Sequence, residues 1–353
     1  MKVILKKRNG KFIDCFDLSP STTVDQFKEI YYKKYHYYPE RQKWNLDSVL
    51  FAAKTNSGKD RITRNVAQCI LQIAVENTYI RRTLKSGTFN ENGIKDSDIL
   101  IFKDLGVQIS WRLVYVIEYL GPIFIFPFFY FCDKYIYPHT IKNKNIVQML
   151  SLWFLLFHFL KREFESMFVH RFSNATMPIR RVPINCGHYW VLCGVNIGYY
   201  LFHPLYKPYN FESKPVIVYA VFFVLLILEF LNLKCHLILR NLRPRGTKNR
   251  GIPHGYGFNY ISCANYFYES LIWIIFSLIT NTLTGKGDNN THGIIAESVI
   301  TGVHASDIRT DTRRCHVVAI TQMAIWALKK HSNYKKEFPN YPKNRKAIFP
   351  FIL

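Results

Sequence analysis

The chain lacks the short signatures that identify common cofactor and metal sites. None of its eight cysteines forms a CxxC pair, and several lie in or beside apolar runs. We interpret them as inert thiols rather than as zinc ligands or a disulfide framework. No GxGxxG segment follows a strand and opens a helix, so a Rossmann domain is not supported, and there is no P-loop. The sequence therefore predicts no metal site and no standard nucleotide-binding fold.

Acidic residues are scarce. The 353 residues include 47 Lys and Arg against 24 Asp and Glu, a net charge of +23. One interpretation is nucleic-acid binding, because basic patches attract phosphates. The other combines the positive-inside rule of membrane proteins with a site for an anionic cofactor. The cations lie in loops between apolar runs, outside any recognisable nucleic-acid module, so we favour the second and predict no nucleic-acid partner.

Long apolar stretches are abundant, and aromatic residues make up 16% of the chain. A membrane span needs about 20 residues, so the second, third and sixth runs are short and would be tilted, extended by aromatic ends or re-entrant. The pattern predicts an α-helical multi-span membrane protein with about six transmembrane helices. The six runs are residues 113–132, 146–160, 187–202, 215–233, 260–283 and 317–328.

The charges between these runs predict an orientation. Loops 161–186 and 234–259 and the tail after residue 328 are rich in Lys and Arg, whereas the alternate loops are poorer in cations or balanced by acids. The positive-inside rule then places the basic loops and both termini in the cytosol.

The first 108 residues predict a separate α+β domain. MKVILKKRNGKFI alternates like a strand with a hairpin turn at Asn9-Gly10, and STTVDQFKEIYYKKY is typical of a helix capped by Ser21 or Thr22. DSDILIFKDLG predicts a later strand. Hairpin, helix and late strand together resemble a ubiquitin-like fold. We assign 1–108 to a ubiquitin-like domain and 109–353 to the membrane domain, and interpret 44–70 and 285–315 as insertions.

The strongest internal motif is LNLKCHLILRNLRPRGTKNRGIP. It places Asn232, His236, Arg240 and Arg243 at steps of four, four and three, which predicts one shared helix face. Planar guanidinium groups suit phosphate binding. A basic flank beside a membrane span would also explain the cations, although not Asn232 and His236 on the same face.

Two further segments place polar groups close to the apolar runs. In SCANYFYES, Asn265 and Glu269 are four residues apart. Ionisable groups at membrane depth are costly and usually functional, while an interfacial aromatic belt is the alternative for the tyrosines. In HFLKREFESMFVHRFSNATMP, Lys161 and Glu165 are also four apart, and the alternative there is a helix salt bridge worth about 0.3–0.5 kcal/mol.

These segments, together with the tail HSNYKKEFPNYPKNRKAIFPFIL, resemble the membrane steroid 5-alpha-reductase superfamily. Within it they are most similar to the very-long-chain trans-2-enoyl-CoA reductases. HFLKREFESMFVHRFS is similar to the signature HYxKRxxETxFVHRFS, with Phe159 where the family usually has Tyr and Ser166 where it has Thr. The resemblance implies NADPH-dependent reduction of a long-chain trans-2-enoyl-CoA to the saturated acyl-CoA, the last step of very-long-chain fatty-acid elongation.

The resemblance also implies residue roles. Tyr266 matches the tyrosine of the family's Asn-Tyr pair and is the expected proton donor, with Lys161 and Glu165 as further catalytic residues. Asn232 is expected at the nicotinamide or ribose side of NADPH, and Arg243 and Arg250 at its phosphates. The residues that we assign to the cofactor are Arg162, Asn232, His236, Arg240, Arg243, Arg250, Asn265, Glu269, His331 and Tyr334.

The implied setting is the endoplasmic reticulum membrane, where the acyl chain lies in membrane lipid and other fatty-acid elongation enzymes are partners. Two alternatives stay open. One is a steroid or polyprenol double-bond reductase, and the other is a non-catalytic membrane scaffold that binds partners through its ubiquitin-like module. A Tyr266→Phe variant separates them, because a scaffold would keep its function.

Overall fold

The computed structural model describes most of the chain, in two compact units. The first unit comprises residues 1–109 and 176–180, and the second comprises 110–175 and 181–353. The described residues are 1–49, 79–137, 143–172, 175–204, 206, 208, 214–243, 251–280 and 305–350.

The first unit is built on a five-stranded sheet with the order β2-β1-β5-β3-β4. β1 is antiparallel to β2 and parallel to β5, and β3 is antiparallel to both β4 and β5. The predicted hairpin is confirmed, and Gly10 takes the left-handed φ of 82° in its turn. The strands are β1 Lys2–Lys7, β2 Phe12–Asp17, β3 Gln42–Val49, β4 Tyr79–Thr83 and β5 Ile99–Asp104; β6 Gln108–Ser110 pairs separately with β7 Thr176–Pro178.

A single helix of the described first unit, α1 (Val24–Tyr35), packs on this sheet. Its N-cap is Thr23, not Ser21 or Thr22, because Thr23 forms a reciprocal capping box with Gln26. Phe27 and Tyr31 point into the core, where both rings contact Trp44 of β3. The 3.6-residue spacing of the apolar side chains thus determines which helix face is buried.

Regular structure extends into both segments that we interpret as insertions, and their assignment as insertions stays a prediction. Residues 44–49 belong to β3, and Trp44 and Leu46 are 2% and 3% exposed, so this stretch is part of the core. The remainder of that insertion, 50–70, lies outside the described residues. In the second segment, 285–315, the last helix begins at Ala305, so residues 305–315 are helical.

The second unit is helical. Its helices are α2 Trp111–Phe131, α3 Asp133–Ile136, α4 Ile146–Phe164, α5 Val182–Cys186, α6 Asn196–Leu201, α7 Pro215–Asn241, α8 Ala264–Ile279 and α9 Ala305–Glu337. Local sequence explains several starts: Ser110 caps α2, Asn145 caps α4 in a capping box with Gln148, and Pro215 opens α7. Wider π-helical turns continue α4 through Glu165–Val169 and join α5 to α6 through Gly187–Val195.

Two described helices, α2 and α7, are long and apolar enough to cross a membrane, and α8 is apolar but has 16 residues. Large apolar side chains on their outer sides are uncovered, with Phe124 67% and Phe223 64% exposed. A water-soluble protein seldom exposes so much apolar surface, whereas lipid would cover it. The third predicted run is not one regular helix but a π-helical stretch followed by α6. The count of six spans stays a prediction.

An aromatic core holds these helices together. Phe126, Phe159, Phe202 and Phe276 are each no more than 1% exposed and come from four different parts of the unit. Close packing is also achieved through Gly121, because a Cβ there would lie 2.1 Å from the Trp190 side chain. The core positions α4, α7 and α8, which carry the polar side chains described next.

Candidate active site

Buried charges join α4 to α7. The Lys161 ammonium donates to Glu229 Oε2 at 2.6 Å and to Asn232 Oδ1 at 2.7 Å, and His158 Nδ1 lies 2.5 Å from Glu229 Oε1. Glu229 and Asn232 are fully buried. Because an unpaired charge in such surroundings is costly, these contacts hold the two helices in one register.

A second ion-pair group lies one turn further along α4. Glu165 Oε2 accepts from the Arg162 guanidinium at 2.9 Å, while Glu165 Oε1 lies 2.9 Å from His236 Nδ1 and 3.6 Å from Lys161 Nζ. Arg162 also donates to the Tyr119 hydroxyl on α2 at 2.9 Å. The π-helical turn that starts at Glu165 keeps its carboxylate inward, with no exposed surface.

Three side chains in this group could reach a metal ion, because the ligand atoms of Glu165, His170 and His236 all lie within 4.8 Å of one another. Burial lowers the pKa of His170 to about 2, so its imidazole is neutral. However, the same carboxylate already faces the cations of Arg162 and Lys161. Two adjacent positive charges oppose the binding of a divalent ion at this group.

The third polar segment meets the first two at the start of α8. The Asn232 side chain donates to the Asn265 carbonyl at 2.9 Å, which places Tyr266 next to the end of the α4–α7 network. Further along α8, Glu269 Oε1 lies 3.6 Å from His158 Nε2. The segment SCANYFYES is therefore joined to both other motifs by direct contacts.

The tail is fastened to the same end of α8. Ser262 Oγ lies 2.5 Å from His331 Nδ1 and 2.6 Å from the Tyr341 hydroxyl, and Ile261 forms a parallel β-bridge with Lys346. Tyr334 is buried and stacks on Tyr341 at 5.5 Å between ring centroids. Beside them is a surface cleft of about 350 Å³, lined by Leu328, His331, Lys335, Lys343, Asn344, Arg345, Lys346 and Ala347.

The structure therefore brings most of the predicted site residues together. The exceptions lie at the end of α7 and in the last helix and tail. Helix α7 ends at Asn241, so Arg243 is not on the predicted helix face. It is buried and donates to the Arg171 carbonyl at 2.7 Å. Arg240 is half-exposed in the last helical turn, and Arg250 lies outside the described residues. His331 borders the basic cleft, whereas Tyr334 belongs to the aromatic stack.

Sequence reasoning missed four residues that contact the site: Tyr119, Glu229, Ser262 and Lys330. Glu229 had a detectable signal, because it is the one acidic residue in the fourth apolar run, and ionisable groups at membrane depth are usually functional. Tyr119, Ser262 and Lys330 depend on contacts between segments far apart in the chain, so nothing in their local sequence marks them.

Comparison with known proteins gives two kinds of match. A family model described as 3-oxo-5-alpha-steroid 4-dehydrogenase matches residues 175–287 and 311–353. The chain is 36% identical to the very-long-chain enoyl-CoA reductase of Dictyostelium discoideum, over 99% of this chain and 98% of that protein. It is 40% identical to a putative enoyl reductase of Schizosaccharomyces pombe (76% and 81% covered) and 36% identical to a probable very-long-chain enoyl-CoA reductase of Caenorhabditis elegans (87% and 96%).

Proposed function

We propose that this chain, which belongs to the very-long-chain enoyl-CoA reductase family, reduces the double bond of a long-chain trans-2-enoyl-CoA with NADPH. The balanced reaction consumes enoyl-CoA, NADPH and one proton and yields the saturated acyl-CoA and NADP⁺. Membership rests on 36% identity that extends over nearly the full length of both chains. The family implies a membrane-bound oxidoreductase of lipid metabolism with a nicotinamide cofactor.

The observation that carries this proposal is the hydrogen bond from Asn232 to the Asn265 carbonyl. This bond joins α7, which we assign to the nicotinamide side of the cofactor, to Asn265, the residue directly before the expected proton donor Tyr266. Tyr266 is half-buried, so part of its side chain stays accessible to a ligand. A donor next to the hydride source is what addition of two hydrogens across one double bond requires.

Two polar side chains in the first turns of α8 fit a nicotinamide. A carboxamide needs both an acceptor and a donor, and Glu269 and the buried Asn265 side-chain amide supply one of each. Among the hydrogen bonds within the described residues, none uses the Asn265 side chain, so a bound ligand would satisfy it. We also assign His236 and Arg162, which both contact the Glu165 carboxylate, to the cofactor.

The phosphates would lie toward the basic ends of α7 and the tail. We assign them to Arg240, Arg243 and Arg250, with His331 and Tyr334 as secondary contacts. The cleft beside His331 supports an anion site, because Lys335, Lys343, Arg345 and Lys346 line it and no acidic residue of the described part of the chain does.

When bound, NADPH supplies a hydride to the β carbon of the substrate. Negative charge then develops on the thioester oxygen and the α carbon, and the Tyr266 hydroxyl transfers its proton to the α carbon. Lys161 and Glu165, assigned as catalytic by resemblance, lie in the buried ion-pair network. They would act there by fixing Asn232 and Arg162 around the reacting groups.

The membrane setting suits this substrate. We propose six spans across the endoplasmic reticulum membrane, with both termini on its cytosolic side. The acyl chain then lies in lipid and the CoA group contacts the basic loops. The sheet order of the first unit, with one packed helix, supports the assignment of 1–108 as a ubiquitin-like domain. Other enzymes of fatty-acid elongation are the expected partners.

The test is NADPH oxidation by membranes that contain the full chain, with a long-chain trans-2-enoyl-CoA added. We expect substrate-dependent loss of NADPH absorbance, reduced about 10²–10⁴-fold in Tyr266→Phe. The matched control is Tyr260→Phe, because Tyr260 is 66% exposed. Tyr119→Phe tests the tyrosine that is hydrogen-bonded to Arg162. If Tyr119→Phe loses activity while Tyr266→Phe stays fully active, Tyr119 would replace Tyr266 as the proton donor.

The negative outcomes separate the rival functions. Bound NADPH without enoyl-CoA reduction would point to a steroid or polyprenol substrate, which the same membranes can be given. If the membranes neither bind nor oxidise NADPH, the scaffold function is the one that remains. A preference for NADH over NADPH would refute NADPH as the cofactor.

A further inference from the structure

We propose that Lys330 is a positioning residue for the reaction: its ammonium group orients the Tyr266 hydroxyl and stabilises the phenolate that remains after proton donation. This inference rests on the proposed function. It adds a residue outside the motifs that carry the resemblance to known reductases, and it comes from the contact between α8 and α9.

The geometry is specific. Lys330 Nζ donates to the Tyr266 hydroxyl oxygen at 2.9 Å and lies 4.4 Å from the centre of the same ring. The two residues are 64 positions apart in the chain, on different helices. Ala327 and Met323, one and two turns before Lys330 on α9, are buried in an apolar cluster against which Tyr266 packs. A hydrogen bond and a cation–π contact to one ring fix its orientation.

The direction of the hydrogen bond matters. An ammonium group can only donate, so the phenol oxygen is the acceptor, and the phenol's own hydrogen is not used in this contact. That hydrogen can point to a substrate carbon. If a carboxylate stood in place of Lys330, it would accept the same hydrogen and block the transfer.

The pairing of Lys330 is also unusual for a half-buried lysine. Buried cations are normally paired with carboxylates. Among the described ion pairs none involves Lys330, and its hydrogen bond goes to a phenol. The contrast is Arg162, which contacts Tyr119 at the same 2.9 Å but shares its charge with Glu165. An ammonium without a carboxylate is available to balance a phenolate.

The chemical step balances without a further reactant. The O–H bond of Tyr266 breaks, a C–H bond forms at the α carbon, and the electron pair stays on the phenol oxygen beside the Lys330 ammonium. A proton from solvent then restores the phenol. Removing one charge-stabilising donor from such a site typically costs about 10²–10³ in kcat. We expect Lys330→Met to lose about 10²-fold in kcat.

The experiment compares Lys330→Met and Lys330→Arg with Lys329→Met in the full chain, using NADPH and a long-chain trans-2-enoyl-CoA. Lys329 is the exposed neighbour of the same charge, so its variant controls for loss of a cation at this helix end. We expect Lys330→Met to lower kcat while KM for both substrates changes less than about 3-fold, and Lys330→Arg to recover to within about 10-fold of wild type. The solvent deuterium isotope effect on kcat should increase in Lys330→Met, because proton transfer becomes rate-limiting.

Two results would overturn the role of Lys330. One is a Lys330→Met enzyme within about 3-fold of wild-type kcat. The other is an equal loss in the Met and Arg variants with an unchanged isotope effect and a lowered thermal midpoint, which would assign Lys330 to packing. A wild-type chain that reduces no enoyl-CoA overturns the proposed function and this role together, whereas an active wild type with an active Lys330→Met overturns this role alone.

Discussion

Glu229→Leu tests whether the buried network stabilises the helical unit. Glu229 is fully buried and accepts from both Lys161 and His158 at 2.5–2.6 Å. Its removal leaves the Lys161 ammonium with the Asn232 amide oxygen and with Glu165 at 3.6 Å. Breaking a buried ion pair from one side costs about 3–5 kcal/mol. At roughly 2–4 °C per kcal/mol for a unit of this size, the thermal midpoint should fall by about 6–20 °C.

The assay is thermal unfolding of the full chain in detergent, followed with a thiol-reactive fluorophore. Cys235 and Cys263 are no more than 1% exposed, so they react only when the helices separate. Glu337→Leu, at an exposed acid, is the control and should change stability by less than about 0.5 kcal/mol.

The double variant Lys161→Met with Glu229→Leu provides the decisive comparison. Replacing both members of a buried pair by apolar side chains is often nearly neutral, because no charge remains unpaired. The double variant should therefore be more stable than Glu229→Leu. A double variant as unstable as the single one, or a Glu229→Leu midpoint within about 2 °C of wild type, would refute the argument from charge pairing.

Three further predictions concern packing and pH. Gly121→Ala should cost about 1–3 kcal/mol in the same assay, because its Cβ would lie 2.1 Å from Trp190, and adding Trp190→Ala should relieve the clash. Trp44→Ala, at a 2% exposed core position, should cost about 3–5 kcal/mol, seen as faster hydrogen exchange in residues 1–49. The hydrogen bond from Lys34 lowers the pKa of Asp14 below its ordinary 3.8. Its stabilising effect is therefore complete above that pH and is lost as the pH falls through the lowered pKa, so Asp14→Asn should speed exchange at pH 7 and have little effect in strong acid.

Periodicity and turn chemistry predicted the local elements well. The hairpin at Asn9-Gly10, the helix that buries Phe27 and the long apolar helices α2 and α7 follow from patterns within a dozen or two residues. These patterns work because each element buries its own apolar face. The strand β3 was not predicted, because a short strand has a weak local pattern and is recognised by its partners in the sheet.

The candidate site was only partly predictable. Steps of four residues identified Lys161 with Glu165 and Asn232 with His236, because neighbours on one helix face can be read from spacing. The same rule could not indicate that Lys161 pairs mainly with Glu229, 68 residues away, at 2.6 Å. It also extended the helix face to Arg243, although the helix ends at Asn241. Contacts between helices depend on their packing, which spacing within one helix does not encode.

The fastening of the tail to α8 has a consequence for biosynthesis. Ser262 and Ile261 contact Tyr341 and Lys346, which the ribosome adds about 80 residues later. The start of α8, and with it the surroundings of Tyr266, therefore stay incomplete until translation has passed residue 346. Helices that enter the membrane earlier therefore stay partly assembled until the tail has been synthesised. A nascent chain that stalls before that point would leave Ser262 without its tail partners, a difference that quality-control factors could recognise.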